Sequence, residues 1–168
     1  MFQYPEHKSN EIVFISKEGA GKGLFLEFFK TIMGGNSRCW ETTSPEKEIF
    51  GQFNPAMKEA FLVVMNEANK SNIYNCNDKK KALITDNNIN INIKGVSSFN
   101  MNSYHRFMTF SNNPVPTTPN ARRDVIINSS DEKIGNTKYF EEGFEYATDI
   151  FCCKYIYDYF MEYKTKPK

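Results

Sequence analysis

An α/β fold on a mainly parallel central sheet is what this sequence predicts, and three observations carry the prediction. Short apolar runs of strand length recur along the 168 residues, at 11–15, 61–65, 106–110 and 125–127. Segments with apolar residues at helical spacing stand between them, and strands alternating with helices mark crossover-linked parallel sheets. A glycine-bearing turn, residues 16–23, joins the first apolar run to the first helical one, as in the opening of a phosphate-binding βα unit.

Each element has its own warrant. The run Ile12-Val13-Phe14-Ile15 reads as a buried strand. Leu24, Phe25, Phe28, Phe29 and Ile32 then recur at helical spacing until Gly34-Gly35 stops the helix. Residues 37–42 are a second strand. Ser44-Pro45 starts a helix, with a capping residue and proline at the first helical position. The run 61–65 is a third strand, ending in Asn66-Glu67, and residues 78–85 form a helix carrying Lys79-Lys80-Lys81, read as a solvated face. Ile89-Asn90-Ile91-Asn92-Ile93 alternates with period two, Lys94-Gly95 supplies a turn, and residues 96–101 return, giving an inserted β-hairpin. Residues 106–110 are a buried strand ending in Ser111-Asn112-Asn113-Pro114, and 125–127 a last short one. From 138 to 168 the pattern is a C-terminal helical tail. No repeat or linker divides the chain, so residues 1–168 are read as one domain, a stand-alone core or a fragment.

Composition excludes several classes. Hydrophobic residues make up 40% and charged residues 24%, with a net charge of +1, so any nucleic-acid contact must be a local patch or loop. No stretch of 18 apolar residues is present, so no membrane partner is expected, and the first eight residues lack a signal-peptide design. Cys39, Cys76, Cys152 and Cys153 form no C-x-x-C pair and only two histidines accompany them, which argues against a zinc site or disulfide framework. Free thiols fit an intracellular, cytoplasmic setting.

The chemistry concentrates at predicted strand ends. Gly19, Ala20, Gly21, Lys22, Gly23 and Leu24 follow the first strand and open a helix. Backbone N–H groups of such a loop converge on phosphate oxygens, and Lys22 adds a point charge. The match to G-x-x-x-x-G-K-[ST] is partial: Ser16 stands for the first glycine and Gly23 for the final hydroxyl residue. Glu67, at the end of the third strand, could activate water or hold a magnesium shell. Asn112 could bond both a phosphate and the attacking water. Arg122 or Arg123 could stabilise charge from a neighbouring subunit. Each has a plain alternative: a helix cap, a turn, a solvated arginine pair.

In this order, the residues resemble the superfamily-3 helicases of viruses and plasmids, closest to the ATPase half of phage and large-DNA-virus primase-helicases. The resemblance rests on residues 16–23, Gly51-Gln52-Phe53-Asn54 before the 61–68 run, Ile93-Lys94-Gly95, and the run 104–114 ending with Arg122-Arg123. It covers residues 11–128. It implies a P-loop NTPase (AAA+-like) three-layer fold, a hexameric homo-oligomer ring, and ATP sites between subunits. It implies Lys22 as the phosphate lysine, Glu67 as the acidic residue of the second motif, catalytic and serving magnesium, Asn112 as the sensor, and one of Arg122 and Arg123 as the finger. It also implies a hairpin that touches single-stranded DNA, with Lys94 the best candidate contact. Apart from the resemblance, His105 just before a buried strand is a candidate phosphate contact, weighed against a structural role. A primase domain or other replication proteins are the implied partners. Two departures stand out: Gly23 lacks the hydroxyl that normally ligates magnesium, and Asn66 replaces an aspartate often found before the glutamate. Magnesium is then held through waters, nucleotide phosphates and Glu67. The rival readings are a nucleotide-gated nucleic-acid-binding module without useful hydrolysis, and a small-molecule kinase using the same loop.

Overall fold

The computed structural model describes residues 3–66, 77–113 and 123–164. Five strands, β1 (Glu11–Ile15), β2 (Cys39–Thr42), β3 (Leu62–Met65), β6 (Arg106–Ser111) and β7 (Asp124–Asn128), form one parallel sheet in the order β2-β3-β6-β1-β7. A separate antiparallel hairpin consists of β4 (Asn88–Ile91) and β5 (Phe99–Asn102). The helices are α1 (Lys22–Met33), α2 (Pro45–Glu48), α3 (Asn77–Thr85), α4 (Thr137–Thr148) and α5 (Ile150–Glu162), with a 3-10 turn at Pro55–Lys58.

The central strands are apolar on both faces because both faces are covered. Every residue of β3 and β6 is buried. Their period-two alternation sorts side chains into two cores. Leu62, Val64, Met108 and Phe110 meet Leu26 and Met33 of α1 on one face. Val63, Met65 and Phe107 meet Ile84 of α3, Met57 of the 3-10 turn, and Ile89 and Ile91 of the hairpin on the other. Each such aliphatic or aromatic side chain contributes about 1.5–3 kcal/mol on burial. Helix, sheet and hairpin-plus-helix make the three layers.

The hairpin replaces a bare alternating strand with a docked one. Ile89 and Ile91 point inward, while Asn88, Asn90, Asn100 and Asn102 face outward. Asn54 joins it to the body: its Nδ2 donates to the Asn90 carbonyl (3.0 Å) and its Oδ1 accepts from the Asn92 N–H (2.8 Å). Gly95, at φ +81°, closes the turn in which the Val96 N–H donates to the Ile93 carbonyl (3.0 Å).

The helical tail is two helices. Asp149 adopts an extended backbone and its carboxylate accepts the N–H groups of Phe151 and Cys152, capping α5 just as α4 ends. Both helices pack on α1 rather than on the sheet. The Gln3 amide donates to the carbonyls of Phe160 (2.6 Å), Met161 and Tyr163, tying the amino-terminal segment to the end of α5.

The lysine cluster departs from the solvated reading. Lys80 is 6% exposed and pairs with the fully buried Glu11 at 2.5 Å, while the Thr109 hydroxyl donates to the same carboxyl group. Lys79 donates to the Phe50 carbonyl (3.1 Å). Burial raises the Glu11 pKa, with Lys80 and Thr109 opposing the rise. An apolar helix face would have been cheaper than this pair, so the sequence alone gave no reason to expect it.

Candidate nucleotide site at the carboxyl ends of β1 and β6

The chain leaves β1 for the far edge of the sheet and later crosses from β6 over β1 to β7, so the strand order reverses between β1 and β6. Crevices that take ligands open at such switch points, outside the carboxyl ends of the strands. The loop after β1 turns through two left-handed glycines, Gly19 (φ +77°) and Gly21 (φ +92°). Gly21 is the cap of α1 and offers no side chain to the helix's first N–H groups, and the first turn of α1 carries no acidic residue. Those N–H groups and the helix dipole suit an anion.

Lys22 lies back across the loop. Its Nζ donates to the Ser16 hydroxyl (2.9 Å), the Ser16 and Lys17 carbonyls (3.2 and 3.1 Å), and Asn112 Oδ1 (2.7 Å). The Ser16 N–H in turn donates to the Ser111 carbonyl (3.1 Å), fastening the two strand ends together. Lys22 and Asn112, ninety residues apart, are thus brought together at the strand ends. A cavity of about 470 Å³ opens there, lined by Glu18 to Leu24, Asn66, Asn112, Phe140 and Phe144.

Phe140 and Phe144 belong to α4, and nothing in the sequence placed that helix over the loop. A Cβ on Gly21 would lie 2.8 Å from the Phe140 ring, and one on Gly143 would lie 2.8 Å from Leu24. Glycine at both positions lets α4 approach the loop closely. A second recess of about 390 Å³ adjoins it, with Ala20, Gly21, Ser129, Lys133, Tyr139 and Phe140 in its wall. Gly23, by contrast, has open space where a side chain would go.

Arg123, Lys94 and His105 do not line this cavity. Asn66 lines the cavity, but Glu67 and Arg122 lie outside the described residues. Arg123 is exposed and precedes β7, where its carbonyl accepts from the Glu11 N–H (2.7 Å). It therefore stands at the amino end of the sheet, a strand's length of about 16 Å from the loop, too far to serve the cavity of the same chain. Lys94 is exposed at the hairpin tip.

His105 is not a surface contact. It is 3% exposed, its Nδ1 meets the Ser103 hydroxyl at 2.9 Å, and its Nε2 meets the Met57 carbonyl at 2.7 Å. Burial lowers its pKa. Both ring nitrogens are used inside the fold, which leaves none for a nucleic acid. Arg106 is equally enclosed: its guanidinium donates to the carbonyls of Tyr4, Pro5 and His7 and holds the amino-terminal segment against the sheet. No group of three or more potential metal ligands occurs among the described residues, and none of their helices is long and apolar enough to cross a membrane.

Fold and site together define an α/β domain with its crevice at the switch point of a five-stranded parallel sheet. The chain belongs to the family of unknown function DUF5906, which it matches over residues 14–123. It is similar to the DNA primase-polymerase of Nitratiruptor phage NrS-1, at 26% identity over 119 residues, 69% of this chain and 16% of that protein. A structure of the NrS-1 C-terminal region superposes with a TM-score of 0.74 at 24% identity, covering 98% of this chain and 39% of that one. The JCV helicase superposes with a TM-score of 0.60 at 14% identity, covering 90% of this chain and 45% of that one. The resemblance to phage primase-helicases and superfamily-3 helicases read from the motifs is thus matched by shared architecture. The chain spans only part of each of these relatives.

Proposed function

We propose that this domain is the ATP-dependent motor core of a helicase or translocase acting on single-stranded nucleic acid in phage- or virus-type replication, with a P-loop, AAA+-like site. The observation that carries the reading is the meeting of Lys22 Nζ and Asn112 Oδ1 at 2.7 Å, over a loop with left-handed glycines at the switch point. On this reading Lys22 exchanges its loop carbonyls and Asn112 for nucleotide phosphates. Asn112, released, orients the attacking water, and the aromatic-walled recess beside Tyr139 and Phe140 takes the base.

The residues fit a phosphate chain: uncapped N–H groups, a lysine and a glycine turn in which a Cβ at 21 has no room. They fit magnesium as a water-rich ion carried by the nucleotide, since Gly23 supplies no hydroxyl and Asn66 offers a neutral oxygen. When bound, magnesium would neutralise charge on the phosphates. Arg122 or Arg123 would come from a neighbouring copy, and the position of Arg123 at the far end of the sheet favours supply in trans. Single-stranded DNA would be met by Lys94 at the hairpin tip. Ring assembly and a primase partner belong to the same reading.

The test is ATP hydrolysis with magnesium, with and without single-stranded DNA, across protein concentration. Turnover rising with both supports the motor. ATP binding without turnover at any concentration supports the second reading, a nucleotide-gated nucleic-acid-binding module, which Gly23 and Asn66 favour.

A further inference from the structure

The carboxyl ends of β2 and β3 hold a pair of side chains, Asn66 and Glu41, of which the motif reading singled out only the first. Asn66 lines the loop cavity together with Lys22 and Asn112. Its Nδ2 donates to Glu41 Oε1 at 2.7 Å. A carboxylate can only accept, so the amide must present nitrogen to Glu41 and turn its oxygen the other way. The backbone fixes both partners: Thr42 lies opposite Met65 in the parallel register, and the Asn66 N–H donates to the Thr42 carbonyl at 2.8 Å. Glu41 is anchored at its second oxygen as well. Oε2 lies 3.6 Å from Lys30 Nζ, which also meets Glu27 at 2.8 Å on α1, the helix that begins with Lys22.

Building on the ATP-and-magnesium reading above, we infer that Glu41 is a positioning residue for that site: it holds the Asn66 carboxamide so that a neutral oxygen occupies the place of the expected carboxylate and serves the hydration shell of the nucleotide's magnesium. The pairing also accounts for asparagine at 66. An aspartate there would set two carboxylates within hydrogen-bonding distance, and one would have to take up a proton. The negative charge is retained on the neighbouring strand, one side chain behind the cavity.

The experiment is a titration of a fluorescent ATP analogue in chelator and across magnesium concentrations, on the parent protein, Glu41→Gln, Asn66→Ala, the Asn66→Asp/Glu41→Gln double variant and Lys22→Ala. Glu41→Gln should bind the nucleotide in chelator as the parent does, yet need about tenfold more magnesium to reach full affinity, the scale on which residues behind a metal site act. Asn66→Ala, which leaves the Glu41–Lys30 pair in place, should show the same shift and guards against a folding defect in Glu41→Gln. The double variant, with its carboxylate at 66 and no like charge behind it, should recover the parent's magnesium dependence or improve on it. A purely structural Glu41 would lower thermal stability and leave magnesium dependence unchanged, and that result overturns the inference while leaving the loop assignment intact. A parent protein that binds no nucleotide, or binds it equally after Lys22→Ala, overturns the loop assignment and this inference with it.

Discussion

At the carboxyl ends of the strands Lys22 and Asn112 meet in an open cavity, whereas at the amino ends Glu11, Lys80, His105 and Arg106 are enclosed with partners of their own. The first set is held by bonds that a ligand can replace: carbonyls, a serine hydroxyl and an amide at a solvent-reaching surface. The second is held where no ligand reaches, and each group would be left unsatisfied if its partner were removed. Both ends carry lysines and motif-like residues, so residue type alone does not separate chemistry from architecture. What separates them is whether the partner can be exchanged.

The largest expected effect lies at the enclosed end. Lys80→Met strands the buried Glu11 carboxyl group and should cost about 3–5 kcal/mol in denaturant unfolding, because breaking one side of a buried pair leaves the other uncompensated. A loss under about 1 kcal/mol, the range of exposed pairs, would put Lys80 with the solvated lysines instead. At the open end, Lys22→Ala should leave unfolding nearly unchanged and reduce ATP turnover by about a hundredfold or more, the scale of a lost charge-stabilising donor. If stability fell and turnover did not, the comparison would be inverted.

Smaller effects sharpen it. Lys94→Ala should weaken single-stranded DNA binding and reduce its salt dependence by about one counterion, while His105→Ala should leave that binding unchanged and lower stability by about 1–3 kcal/mol. Gly23→Ser enters open space in the first turn of α1; it should stabilise the helix by about 0.5 kcal/mol and, by restoring a hydroxyl, raise turnover. A pH-dependent effect concerns Lys8, which donates to Ser103 Oγ and the Leu83 carbonyl. Burial, reinforced by Arg106, lowers its pKa from 10.5 to about 8. Below pH 8 both states hold the proton and the folded state carries the full penalty. Between pH 8 and 10.5 the unfolded state binds more protons, so stability should rise with pH. Thermal melts of the parent and Lys8→Met across that window should differ in slope, the variant lacking the gain.

The open end was the more legible in sequence. Apolar runs located the strands, and the loop and Asn112 fell at strand ends because a parallel sheet puts its crevice there. Glu41 and Phe140 were missed since neither belongs to a local pattern: one acts through register with β3, the other through a helix whose docking no periodicity reports. His105 and Lys80 were misread for a related reason. A polar residue beside a buried strand looks the same in sequence whether it turns outward or finds a partner beneath, and only the tertiary contact decides.

Gly21 answers to two masters: the loop's left-handed turn and the Phe140 ring that rests where a side chain would be. Gly143 repeats the arrangement from the other helix, against Leu24. The loop and α4 therefore share one mechanical setting, a contact with no room for a methyl group on either glycine. Any side chain added at 21 shifts both at once, so inactivity of a Gly21 variant reports on the seating of α4 as much as on phosphate contact. Lys22 and Asn112 are the cleaner instruments for reading the chemistry, because neither is a glycine on which that close approach depends.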